Sequence, residues 1–155
     1  MTDLAVRPAA PGDRAGWEKL FVAYGEFYRV AVTGETLETV WGWIHDPAHA
    51  VEALVAERGG APVGLAHYRA MPSPLRGATL GFLDDLYVDP AARGAGLGEA
   101  LLARLGEIAA ERGWRCVRWI TADDNYRART LYDRVAAKTG WNTYEMAVGV
   151  ESSAG

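Results

Sequence analysis

The residues Arg93-Gly94-Ala95-Gly96-Leu97-Gly98 stand at the mouth of a leucine-bearing run, and their types suit the binding of an anion. Glycine is a poor helix former, so alternating glycines here place bare backbone where a ligand could approach it closely. A helix start leaves about four amides without partners and carries roughly half a positive charge, to which Arg93 adds its own. A diphosphate fits that description. Two other phosphate devices do not match: a GxxxxGK[ST] loop needs a lysine absent here, and a GxGxxG/A fingerprint would end on Glu99 or Leu101. The plain alternative is a ligand-free glycine turn, but three glycines so near one helix start serve no packing purpose. Two more groups could do chemistry: the adjacent carboxylates of Asp84 and Asp85, and the pair Asn125 and Tyr132. The latter are nearly two helical turns apart and so share one helix face.

The elements that must position these residues are legible as periodicities. A short strand at 3–9 precedes a helix over 12–30, in which Trp17, Leu20, Phe21, Tyr24, Phe27 and Tyr28 recur at three and four. A second helix spans 35–47 and stops at Pro47. Strands at 51–58 and 63–71 flank GGAP and form a hairpin, and a long strand runs over 78–89 to Pro90. Leu97, Leu101, Leu105 and Ile108 give the next helix one buried stripe, which fixes the amides at its start. A strand at 114–122, a helix at 125–139 and a last strand at 141–150 complete the order. The strand–helix–strand passage from 78 to 122 makes its two strands parallel. The expectation is one α/β domain over 1–150, with a frayed tail at 151–155.

The bulk properties exclude several classes. The net charge of −4, with no basic stripe, argues against a nucleic-acid partner. No segment is apolar for long enough to span a membrane, and the N-terminus has no apolar signal core, so a cytoplasmic location without membrane attachment is expected. Cys116 has no partner for a disulfide and reads as a buried small hydrophobe. His45, His49 and His67 show no metal-ligand spacing and read as surface or satisfied residues; no metal is expected.

LYVDPAARGAGLGEALL resembles the R/Q-x-x-G-x-G/A pyrophosphate motif of the GNAT superfamily of N-acetyltransferases, and the order of elements is similar to that fold. The resemblance implies a mixed, mostly antiparallel sheet of six to seven strands flanked by four helices, with a splayed parallel pair at the cofactor site. It also implies acetyl-CoA as donor and a primary amine as acceptor. Arg93, Gly94, Ala95, Gly96, Leu97 and Gly98 would then hold the diphosphate, and the backbone of Leu86, Tyr87 and Val88 would pair with the pantetheine arm. NYRARTLY is similar to the family's N-x-x-A-x-x-L-Y helix, which implies contact with the cofactor arm for Asn125 and protonation of the departing thiolate for Tyr132. In one respect the chain departs from the pattern: DRVAAKT delays Gly140-Trp141 by about one further turn.

Amine transfer needs a neutral nucleophile, and an alkyl amine of pKa ~10.4 pays about 4–5 kcal/mol for deprotonation at pH 7. LDDLYV is similar to the acidic pair of diamine acetyltransferases of the spermidine/spermine type, where the first acid assists that step. Asp84 is accordingly the expected base, through water, with Asp85 in reserve. Regular alternation puts Asp84 on the face of Val88 and Asp85 on the other, and a β-bulge would exchange the faces. Tyrosine, near pKa 10, can protonate a thiolate of pKa near 8.5 at little cost. No covalent nucleophile is required, so the amine attacks directly in a ternary complex.

The acceptor pocket is expected from the first two helices and strand 63–71, with Tyr24 and Tyr28 its named contacts, Asp85 beside them, and Glu26, Phe27, Glu35, Glu38, Trp41 and Trp43 nearby. Aromatics with carboxylates suit a cationic amine, whereas the same pattern also describes an ordinary core and a solvated face. A polyamine or small amino compound is the first reading. A protein lysine or N-terminus, an aminoglycoside-like acceptor, or a non-catalytic acyl-CoA-binding module of the same fold stay open. Relatives of this kind often dimerise through their last strands, so a homodimer is expected.

Overall fold

The structure is a computed structural model and describes residues 4–149. The elements run β1 (Leu4–Pro8), α1 (Arg14–Phe27), α2 (Gly34–Ile44), β2 (Glu52–Arg58), β3 (Ala61–Ser73), β4 (Ala78–Val88), α3 (Leu97–Glu111), β5 (Val117–Trp119) and α4 (Tyr126–Val135), with short 3-10 turns at Pro11–Asp13 and Pro90–Ala92. The chain divides into two compact units, the first ending at Ile120 and the second beginning at Thr121.

In the first unit the five strands form one sheet in chain order, antiparallel from β1 to β4 and parallel between β4 and β5. The hairpin expected at GGAP is present, and Gly59 and Gly60 supply the two left-handed residues (φ 58° and 83°) that such a tight turn requires. Strand alternation divides the core between the two faces of the sheet. Leu65 joins Trp17, Leu20 and Phe21 of α1, flanked by Trp41 and Ile44 of α2. Its neighbour Ala66 and Tyr68 join Leu97, Leu101, Leu105 and Ile108 of α3.

The sheet has five strands among the described residues, not six or seven. Residues 141–149 form neither helix nor strand, because a strand exists only through a ladder of bonds to a neighbour. The predicted strand 114–122 contracts to three residues. Ahead of it, Arg115 still donates to the Thr79 carbonyl at 2.9 Å and Cys116 accepts from Gly81 at 2.8 Å, so the approach follows β4 without the full pattern. Cys116 sits just outside β5 and is exposed, which corrects the expectation of burial.

In the second unit Asn125 caps α4, its Oδ1 accepting from the Ala128 amide at 3.3 Å. The helix ends at Val135 and Ala136 is already extended (φ −148°), short of the predicted end at 139.

Candidate active site

At the carboxyl end of β4 the chain turns through Pro90–Ala92 into the glycine stretch. Gly94 (φ 89°) and Gly96 (φ 74°) are both left-handed, and Gly96 is the N-cap of α3. A β-carbon at either position would meet nothing within 4 Å, so the glycines are needed for backbone geometry and access, not for close packing. Among the described residues the N–H groups of 94–98 make no hydrogen bond to a protein acceptor, while the Gly96 carbonyl accepts from Ala100 at 2.9 Å and starts the helix. The loop is solvent-exposed at Gly94, Ala95 and Gly96 and anchored by buried Leu97 and Leu101. Arg93 lies 5.7 Å over the Tyr87 ring and forms no ion pair with a described residue. The loop thus presents backbone N–H donors at a helix N-terminus, a chemistry that suits an anion.

Alongside this loop, β4 is open on one edge. β5 pairs only with Gly81, Phe82 and Leu83, whereas on the other side Leu86, Tyr87 and Val88 pair with Ala66, Leu65 and Gly64 of β3. The backbone of Leu86–Val88 thus has no strand beside it on the β5 side among the described residues, and an extended amide-bearing ligand could add there as a short strand.

The acidic pair sits on a β-bulge. His67 pairs with Asp85 and Tyr68 with Leu83, leaving Asp84 as the extra residue. The packing records the switch: Leu83, before the bulge, and Leu86 and Val88, after it, all join the α3-side cluster, while Tyr87 joins the α1 side. Asp84 therefore does not share the face of Val88 as regular alternation requires. Both carboxylates lie with His67 and Arg69, which are two residues apart on β3 and so on one face. Arg69 donates to Asp84 from Nε at 3.0 Å and from an Nη at 3.3 Å. Asp85 Oδ2 lies 2.8 Å from His67 Nδ1, and the far nitrogen of that ring accepts from Trp17 Nε1 at 2.9 Å.

From Tyr87 an aromatic edge continues into α1. Tyr24 lies 6.0 Å from Tyr87 and 5.0 Å from Tyr28, both edge-on. The first unit thus brings together Arg93 and the glycine loop, the open edge at 86–88, Tyr24, Tyr28 and the acidic pair. Of the wider acceptor group, Trp41 packs 4.8 Å from Trp17 as part of the core and Glu38 is paired with Arg14, whereas Phe27 and Trp43 are exposed. Asn125 and Tyr132 are placed on α4 of the second unit, and each already has an interaction within the structure. His67, Trp17 and Arg69 were not expected as site residues. An inward histidine in the alternation of GLAHYRAM was the available signal for the first of them.

No group of three or more His, Cys, Asp or Glu among the described residues is arranged to hold a metal ion. No helix among them is long and apolar enough to cross a membrane.

Residues 17–136 match the family model described as Acetyltransferase (GNAT) family. A D-amino-acid N-acetyltransferase of Saccharomyces cerevisiae is 32% identical over 139 residues, which cover 88% of this chain and 86% of that one. A thialysine N-epsilon-acetyltransferase of Bos taurus is 28% identical over 161 residues, covering 93% and 92%. Among solved structures, a ribosomal-protein-alanine N-acetyltransferase from Brucella melitensis biovar Abortus 2308 superposes with a TM-score of 0.79 at 25% identity, over 94% of this chain and 99% of that one. An aminoglycoside N-acetyltransferase in complex with CoA gives a TM-score of 0.75 at 15% identity, over 99% and 97%, a likeness of fold.

Proposed function

This chain belongs to the acetyltransferase (GNAT) family, whose members use acetyl-CoA, and from that premise we propose that it acetylates a primary amine of a small molecule by direct attack in a ternary complex. Acetyl-CoA, when bound, supplies the activated acetyl group as a thioester. The observation that carries the reading is the run of amides at 94–98 without protein acceptors behind Arg93, a donor set whose charge suits a diphosphate. Leu86, Tyr87 and Val88 offer the open strand edge to the pantetheine amides.

The remaining roles follow the chemistry of each residue. An acid of the bulge pair, Asp84 in the sequence reading with Asp85 as its alternate, accepts the ammonium proton through water. The amine nitrogen then bonds to the acetyl carbon, the carbon–sulfur bond breaks as the Tyr132 hydroxyl gives its proton to the sulfur, and the second nitrogen proton leaves to restore the tyrosine. Asn125 contacts the cofactor arm. Tyr24 and Tyr28 border the acceptor, where their ring faces suit a cation. The curated relatives act on D-amino acids and thialysine, which supports a small amino compound or polyamine as the acceptor. A protein amine is the alternative, and the likeness to a ribosomal-protein-alanine N-acetyltransferase is what favours it. A cytoplasmic location and a homodimer complete the proposal. For the dimer the support is the segment 141–149, which exposes Trp141, Tyr144, Met146 and Val148.

The test is thiol release from acetyl-CoA with D-amino acids, thialysine, spermidine, an aminoglycoside and an alanine-terminated peptide. Turnover of a free amine is expected. Tight CoA binding without thiol release on any amine would leave only a binding module. Tyr132→Phe should lower kcat by roughly 10²–10⁴-fold while CoA affinity holds; unchanged turnover would remove Tyr132 from its role.

A further inference from the structure

The two adjacent carboxylates of the bulge are held in different electrical states. Asp84 is clamped by the Arg69 guanidinium through two bonds, so its charge is already offset. Asp85 forms no ion pair with a Lys or Arg among the described residues; its partner is His67. The charge on that imidazole is fixed by a third residue. An indole N–H can only donate, so His67 Nε2, at 2.9 Å from Trp17 Nε1, is an acceptor without a proton. The ring proton is therefore on Nδ1 and is donated to Asp85 Oδ2, and the ring is neutral. Both His67 and Trp17 are buried, at 2% and 0% exposure, and Phe21 packs edge-on against the imidazole at 4.9 Å. Asp85 keeps 23% side-chain exposure, and its Oδ1 has no protein partner among the described residues.

We propose that His67, locked by Trp17 as its Nδ1–H tautomer, is a positioning residue that presents Asp85 as the uncompensated carboxylate for the ammonium of the acceptor, beside Asp84 held by Arg69. The proposal rests on the acetyl-transfer reading above and names the part of that site which recognises the cation. A neutral donor orients Asp85 without cancelling its charge, as a cationic one would. The proton leaving the ammonium nitrogen goes to Asp85 Oδ1, while Oδ2 keeps its bond from His67. The face also carries Tyr87, two residues along β4, with Tyr24 beside it, so the cation would meet aromatic rings and this carboxylate together.

Three measurements test it. In ring ¹H–¹⁵N correlation spectra at mildly alkaline pH, His67 should show a protonated Nδ1 and a bare Nε2; an Nε2–H tautomer would overturn the proposal. Adding spermidine as the probe should shift the Nδ1 resonance in the wild type but not in Asp85→Asn, and an unmoved wild-type resonance would count against it. In steady-state assays, His67→Leu and Asp85→Asn should each raise the amine KM about tenfold or more with CoA affinity intact. His67→Asn, whose amide nitrogen reaches the place of Nδ1, should restore KM. An unchanged KM in Asp85→Asn, or no rescue by His67→Asn, would refute the assignment. If no amine is turned over, the transfer reading fails, and the two spectroscopic results still decide whether His67 sets Asp85 toward a cation.

Discussion

At its carboxyl end β4 hands over to a loop that offers backbone, whereas in its middle it offers side chains, and the two regions are built on opposite terms. The amides of 94–98 have no protein acceptor among the described residues and are held in place by a buried leucine stripe behind them. The carboxylates at 84 and 85 are each already engaged, one with a cation and one with a neutral ring. Backbone donors need only small residues and a rigid helix behind them, and water satisfies them at little cost. A half-buried carboxylate gives up part of its hydration, so each is held by a protein partner on its inner side.

The sharpest way to break this contrast is at Gly96. Gly96→Glu forces a side chain into a left-handed N-cap and sets a negative charge where the diphosphate should lie. The added bulk and charge should lower CoA affinity on the order of 100-fold, about 3 kcal/mol, read by calorimetry, while the left-handed strain lowers the melting temperature by about a few degrees. Undiminished affinity would mean the loop binds something else.

Side-chain locks should instead respond to acid and base. Asp13 is the comparison within the same unit: it is buried, accepts two bonds from Arg7 at 2.6 and 2.9 Å, and accepts the Ala10 amide at 2.7 Å. The Arg7 bonds, opposed by burial and aided by the Ala10 amide, hold its carboxyl below the usual range. Its stabilisation is therefore present above the ordinary carboxylate pKa and is lost as the pH falls toward the lower folded value. Asp13→Asn should cost about 2–3 kcal/mol near neutral pH and flatten the acid limb of a stability–pH curve; an unchanged limb would contradict the lock.

A smaller effect is expected at the alkaline end. Burial, with the nearby Glu52 charge, pushes the Tyr68 hydroxyl up to about 12. Its contribution is full below pH ~10 and should fade as the pH rises toward 12, by about 2 kcal/mol. Tyr68→Phe should remove that alkaline loss in denaturant titrations, and a wild-type curve already flat above pH 10 would contradict it.

The same division explains how much could be read from the sequence. Arg93 to Gly98 and the stripe Leu97, Leu101, Leu105 and Ile108 are local patterns, and the structure follows both. The bulge at Asp84 belongs to the register between two strands, so regular alternation put that carboxylate on the wrong face. The bond between Trp17 and His67 spans fifty positions and left no trace beyond an inward histidine. Strand lengths failed for a related reason: β5 and residues 141–149 have the composition of strands, but pairing depends on a neighbour.

The proposed acetyl transfer requires the amides of residues 94 to 98 to seat the diphosphate. The direct measurement is a ¹H–¹⁵N titration of the labelled protein with CoA. Stoichiometric, saturating shifts at Gly94 through Gly98, with slowed hydrogen exchange there, are the predicted result. Saturation of CoA binding with those five amides unmoved would contradict it.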